Sequence, residues 1–179
     1  MASYVVESPI GKLTLVSNNG ALVSLGFGDL GASGTPDNIL LDAEIQLKEY
    51  FSGARREFSF ALAPSGTEWQ ERVWAELRKI PYGETISYGE LARRAGNAKA
   101  PRAAGRANNR NPVSVIIPCH RVIGADGKLV GFGGGLPVKE FLLKLEAENR
   151  PSKNSFETDC DKRASVARKR RVIGEGSLL

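Results

Sequence analysis

A chain of 179 residues holds one ordinary domain or two small ones, and 41% hydrophobic with 25% charged residues allows a packed core and excludes global disorder. No apolar stretch approaches a membrane span, and no secretory pattern opens the chain. The net charge of +5 is uneven: Arg78 to Arg121 holds nine basic residues against Glu84 and Glu90, and Arg150 to Leu179 holds eight against four acids. The first excess matches either a phosphate-binding footprint or a solvated basic face. Two cysteines, Cys119 and Cys160, build no disulfide framework, which fits reducing intracellular surroundings. With a single histidine, a structural zinc site is not expected.

In chain order, Tyr4 to Ser8, Gly11 to Ser17 and Ala21 to Phe27 read as strands, with Leu13 and Leu15 alternating with polar neighbours. Asn18-Asn19-Gly20 tolerates positive φ and predicts a hairpin. Asp37 is placed to cap a helix running to Ser52, with Leu40, Ala43, Leu47 and Phe51 on one face and Gly53 as its stop. Phe58, Phe60 and Leu62 alternate as a further strand. This N-terminal α/β domain, residues 1–62, contains no histidine or cysteine. Ala63-Pro64-Ser65-Gly66 reads as a linker.

Thr67 with Gln70, and Ser87 with Glu90, match capping boxes that open two helices. Gly96 stops the second, and Pro101 opens the next, which carries Arg102, Ala103, Ala104, Gly105, Arg106 and Ala107. The last two helices suit either a helix-turn-helix or an ordinary helical hairpin packed on its alanines. Small residues would let the backbone approach DNA, and arginine reaches phosphates or bases.

Val113, Val115, Ile116 and Ile117 form an apolar run, read as a short buried strand, that ends at Pro118-Cys119-His120-Arg121-Val122. A thiol and the single imidazole thus emerge together at the edge of a core. Thiolate is the reactive form of cysteine, and an adjacent base can generate it. A lone cysteine is also commonly a small buried hydrophobe, and adjacent side chains diverge in a regular strand. Gly131-Phe132-Gly133-Gly134-Gly135 permits close backbone approach to a flat ligand. Leu136 to Glu148 then reads as a helix with Leu142, Leu143 and Leu145 inward. Glu146 lies near its end, where an acid is usually exposed but could orient an imidazole. The tail 150–179, with Lys169-Arg170-Arg171, is expected to be basic and flexible, and Cys160 incidental.

Residues 67–149 resemble the catalytic domain of O6-alkylguanine-DNA alkyltransferases. The resemblance rests on Pro81-Tyr82-Gly83-Glu84, Ser87-Tyr88, Arg102-Ala103-Ala104-Gly105, Asn111-Pro112, Pro118-Cys119-His120-Arg121-Val122 and Gly133-Gly134-Gly135-Leu136, in this order and spacing. Residues 1–62 resemble the family's N-terminal domain more loosely. The implied fold is a small α/β domain with a short antiparallel sheet, followed by a mainly helical, winged-helix-like DNA-binding domain. The implied activity is irreversible, stoichiometric transfer of an alkyl group from guanine O6 to Cys119, without cofactor or metal.

The resemblance further assigns roles. His120 acts as base through a water, Glu146 orients it, and Asn111 supports the active-site turn. Tyr88 protonates the leaving guanine and helps rotate the nucleotide. Phe132, Gly133 and Gly134 line the pocket; Phe132 stands where many relatives carry tyrosine. Arg102 enters the base stack, with Ala103, Gly105 and Arg106 on the DNA-binding face. The expected partner is double-stranded DNA containing O6-alkylguanine, bound by a monomer with no membrane role, in the cytoplasm or at the nucleoid, or in the nucleus of a eukaryote. Three other readings use the same residues. A non-catalytic binder of alkylated DNA would gain no mass from its substrate. A cysteine hydrolase would turn over. A helix-turn-helix regulator would need a defined operator.

Overall fold

Strands β1 (Ala2–Val6), β2 (Leu13–Asn18) and β3 (Ala21–Phe27) form an antiparallel sheet in the order β1-β2-β3. Positive φ at Asn19 (48°) and Gly20 (75°) makes the tight turn between β2 and β3. Strict alternation would put Leu22 and Leu25, three residues apart, on opposite faces. The register resolves this: Val16 pairs with Ser24 and Ser17 with Leu22, so Val23 is the extra residue of a bulge. Both leucines are thereby buried with Leu13 and Leu15. The sheet belongs to a computed structural model that describes residues 1–150. Expectations for the rest of the tail, Cys160 included, lie outside the described residues.

Helix α1 (Asn38–Phe51) packs on the sheet, capped by Asp37, whose side chain accepts from the Leu40 amide. Gly53 ends it at φ 78°. Leu40, Ala43 and Leu47 are buried as expected, but Tyr50, not Phe51, completes the inner stripe. Its ring packs on Phe51, Phe58 and Tyr82, and its hydroxyl finds a buried acceptor described below. The strand expected at Phe58, Phe60 and Leu62 does not form. Leu22 instead exchanges backbone hydrogen bonds with Ala61 and Ala63, giving one parallel bridge between Leu22 and Leu62. Phe58 and Phe60 alternate to serve ring packing rather than a ladder.

Helix α2 (Glu68–Leu77) opens with the complete Thr67/Gln70 capping box and buries Val73, Trp74 and Leu77. Helix α3 (Tyr88–Arg94) has half of the expected box. Ser87 accepts from the Glu90 amide, but the Glu90 carboxylate turns outward to Arg93 and Arg94. Helix α4 (Pro101–Asn109) follows and packs on α2 and α3. A two-residue parallel pairing joins β4 (Ile86–Ser87) to β5 (Val122–Ile123). It ties the entrance of α3 to the segment after Cys119. Helix α5 (Leu136–Glu148) closes the described core. Contacts cluster Met1–Asn149 as one compact unit.

The apolar run before Cys119 is not a strand. Val113 makes a single bridge with Leu25, and the chain then turns, with Ile117 N–H bonded to Val113 O at 2.9 Å. Val115 sits at φ 70°, a strained conformation for a β-branched residue, and is buried. A fully buried apolar run carries no period, so its residues alone do not distinguish strand from turn.

Candidate active site

Cys119, His120 and Arg121 form a 3₁₀ turn between that buried turn and β5. The irregular backbone overcomes the divergence expected of neighbouring strand side chains. All three are buried, with His120 fully so. Asn111 bridges the preceding turn: its amide donates to Ile117 O at 2.7 Å, and its oxygen accepts from Val113 N at 3.1 Å. Asn108 donates to Cys119 O at 3.4 Å. The thiol is therefore fixed by backbone that two asparagines brace.

Glu146 reaches this turn from α5. It is fully buried, contrary to the usual exposure of an acid near a helix end. The inner stripe of α5 is Lys139, Leu142 and Glu146, while Leu143 and Leu145 are only half-buried, so the expected leucine face is corrected. The carboxylate accepts from His120 Nε2 at 2.8 Å, Tyr50 Oη at 2.7 Å and the Gly83 amide at 3.0 Å. Arg121 donates to both its oxygens and to Ile80 O. Burial alone would push the Glu146 carboxyl up. The hydrogen bond from His120 and the hydrogen bonds and charge of Arg121 override it and hold the group down to about 2.

A carboxylate at Nε2 fixes the tautomer: the neutral ring carries its proton there and leaves Nδ1 as an acceptor. Nδ1 is buried and pairs with no atom among the described residues. Burial pushes the His120 pKa down, despite the pull of Glu146, so the ring is a neutral base. Burial likewise pushes the Cys119 thiol up, opposed by hydrogen bonds from Asn111 and Ser114 and by the charge of Lys139. The resting group is thus a thiol, surrounded by groups that favour its deprotonation.

Tyr88 begins α3 and donates to Val130 O at 3.1 Å. Lys139, fully buried, donates to Val130 O at 2.8 Å and to Val122 O at 2.6 Å, and its ammonium lies 5.9 Å from the Tyr88 ring centroid. Burial raises the Tyr88 phenol, with a smaller contribution from Cys119. Phe132 packs edge-on against His120 at 6.4 Å between ring centroids, and against Phe27 at 5.5 Å. Gly134 lies so close to Phe27 that a Cβ would meet the ring at 2.8 Å, and Gly133 lies beside it. Arg102 and Arg106 are exposed on α4, Ala103 is half-buried, and Gly105 lies against the Tyr88 ring. Sequence reasoning missed Tyr50, Ser114 and Lys139, and gave Arg121 no role. Lys139 had a signal, since it shares a helix face with Leu142 and Glu146. Tyr50 followed Leu47 by three positions on an inner stripe.

A buried thiol, a neutral imidazole and an orienting carboxylate, next to a pair of short helices with exposed arginines, define a protein that performs cysteine chemistry at a nucleic-acid surface. The comparisons agree. Residues 1–64 match the ribonuclease-like domain, and residues 68–148 the DNA-binding domain, of 6-O-methylguanine DNA methyltransferase. A methylated-DNA–protein-cysteine methyltransferase of Methanosarcina acetivorans is 49% identical over 150 residues, covering 79% of this chain and 96% of that protein. A Mycobacterium tuberculosis O6-methylguanine methyltransferase structure aligns with a TM-score of 0.77 at 43% identity, covering 87% of this chain and 98% of that one. An M. tuberculosis OGT in complex with DNA aligns with a TM-score of 0.77 at 44% identity, covering 85% and 96%. The chain belongs to the methylated-DNA–protein-cysteine methyltransferase family.

Proposed function

We propose that this protein repairs DNA by moving the alkyl group of O6-alkylguanine onto Cys119. The observation that carries the reading is the Glu146 carboxylate held 2.8 Å from Nε2 of neutral His120, which stands next to Cys119 in the same 3₁₀ turn. Family membership makes alkyl transfer to a cysteine the activity, and Cys119 is the thiol this network serves. As the thiol attacks, His120 Nδ1 takes its proton through a bridging water. The new bond joins sulfur to the alkyl carbon while the carbon–O6 bond breaks. Its electron pair stays with guanine, which gains a proton from Tyr88. Glu146 keeps its charge and stabilises the imidazolium formed.

The target atom lies inside a duplex, so the nucleotide must leave the stack at a cost of a few kcal/mol. Exposed Arg102 on α4 offsets that cost by filling the space left, with Ala103, Gly105 and Arg106 along the same DNA face. Phe132, Gly133 and Gly134 bound the pocket for the extruded base. The partner is double-stranded DNA carrying the lesion, bound by a monomer in the compartment that holds the genome. A thioether has no easy hydrolytic exit, so each molecule acts once. Incubation with O6-methylguanine DNA should add one methyl mass, mapped to the peptide holding Cys119, and Cys119→Ala should take up none. Methyl on Cys160 instead, or unchanged transfer in Cys119→Ala, would overturn the assignment.

A further inference from the structure

Beside Arg121 lies a crevice of about 310 Å³ that the transfer reaction does not use and that neither Cys119 nor His120 lines. Arg56, Arg78 and Arg121 line it, with Glu57 as the single acid among its lining residues. Arg56 and Arg78 are exposed and have no ion pair among the described residues. Arg121 is more than nine-tenths buried, and its three bonded nitrogens leave two of its five N–H groups unused. Tyr82 also lines the crevice, and its hydroxyl is buried with no hydrogen-bond partner among the described residues. A buried hydroxyl without a partner is costly. Arg56 and Arg78 supply positive charge without an ion pair, Arg121 adds the N–H groups that Glu146 and Ile80 leave unused, and an unspent phenol hydroxyl stands with them beside apolar Phe58 and Ile116.

We infer that this crevice is an anion site that takes a phosphate group. Guanidinium forks match phosphate oxygens in pairs, and the apolar walls strengthen the attraction by limiting solvent. Tyr82 would donate to the same group. Ile116 and Pro118 line the crevice and lie in the segment leading into Cys119, and Arg121 holds Glu146. An occupant therefore braces the catalytic turn from behind. The phosphate belongs either to a DNA backbone or to a free phosphate compound.

The test needs neither lesion nor transfer. Inorganic phosphate is titrated into the full chain at constant ionic strength, with chloride as the exchanged ion, and binding is read by calorimetry and thermal unfolding. The parent should show saturable binding and a raised melting temperature. Arg56→Ser/Arg78→Ser should lose about tenfold or more in affinity, equivalent to about 1.4 kcal/mol or more. Tyr82→Phe should weaken binding severalfold, and Glu57→Gln should strengthen it. Lys12→Ser/Lys144→Ser, an equal loss of charge elsewhere, should leave it unchanged. Equal affinity in the parent and Arg56→Ser/Arg78→Ser, or no saturable binding, overturns the site. Undamaged duplex that displaces phosphate from the parent identifies the DNA backbone as the source. Phosphate that binds equally to the DNA complex identifies a free compound.

Discussion

Glu146 serves His120, Arg121, Tyr50 and the Gly83 amide at once from inside the protein. No single contact explains its place; together they offset the desolvation of a buried carboxylate. Its removal therefore has two effects. Glu146→Gln should slow transfer by releasing His120 from one tautomer, and should cost about 3–5 kcal/mol of stability by leaving the Arg121 guanidinium buried without its counter-charge. Arg121→Met should destabilise similarly for the opposite reason. The double variant should lose clearly less than the two single losses combined, because neither charge is then stranded. Urea unfolding of the four proteins checks this, and strictly additive losses would show that the two charges do not depend on one another. The kinetic effect is separable: the pH dependence of Cys119 alkylation by a small electrophile should change in Glu146→Gln and stay as in the parent for a variant such as Leu142→Val.

At the scale of elements, α3 and α4 pack on α2, and the β4–β5 pairing links this helical pair to the turn that carries Cys119. A Cβ at Gly105 in the middle of α4 would lie 3.5 Å from the ring of Tyr88 at the start of α3, so the helices proposed to face DNA and the proposed proton donor pack closely together. Arg102 is exposed on α4 and forms no hydrogen bond or ion pair with the proposed catalytic turn among the described residues. If it occupies the space of the flipped nucleotide, its loss should spare reactions that need no flipping. Arg102→Ala should slow methyl transfer from duplex DNA much more than alkylation by free O6-benzylguanine, measured as second-order rates on the same preparation. If it only contacts a phosphate, all DNA binding should weaken together and the salt slope should fall by about one. Equal slowing of both transfer reactions would point to a structural role.

For the whole molecule, the buried titratable groups set how stability changes with pH. His120 is held neutral below its ordinary value of 6.5, so the unfolded chain takes up its proton first. The associated stability is complete above about 6.5 and falls as pH drops through that value. Glu146 is held down to about 2 from 4.5, so its contribution is complete above 4.5 and is lost between there and about 2. On the alkaline side, burial raises Cys119 and Tyr50, whose contributions are present at neutral pH and fall as pH rises past their ordinary values of 9.0 and 10.0. Unfolding free energy should form a dome, with an acid limb that begins near the histidine value. A flat profile between pH 7 and 5 would contradict a neutral, buried His120.

The sequence by itself determined the elements whose signals are local. The capping residues Asp37, Thr67 and Ser87, the Asn19-Gly20 turn and the proline before Arg102 each act within a few residues, so their positions could be read directly. The order of short motifs around Cys119 likewise named the family, because it is a property of the chain and not of its folding. Only the tertiary structure decided what depended on distant partners. Phe58 to Leu62 alternates like a strand but serves ring packing and a single bridge, since no neighbouring strand offers it a ladder. Val113 to Ile117 turns back instead of extending, because Asn111 and the Leu25 bridge satisfy its backbone within the core. Glu146 is buried although helix position favoured exposure, because Tyr50, far away in sequence, and Arg121 supply its hydrogen bonds. Buried charge is stabilised by partners brought in from elsewhere in the chain, and no local pattern encodes where those partners will stand.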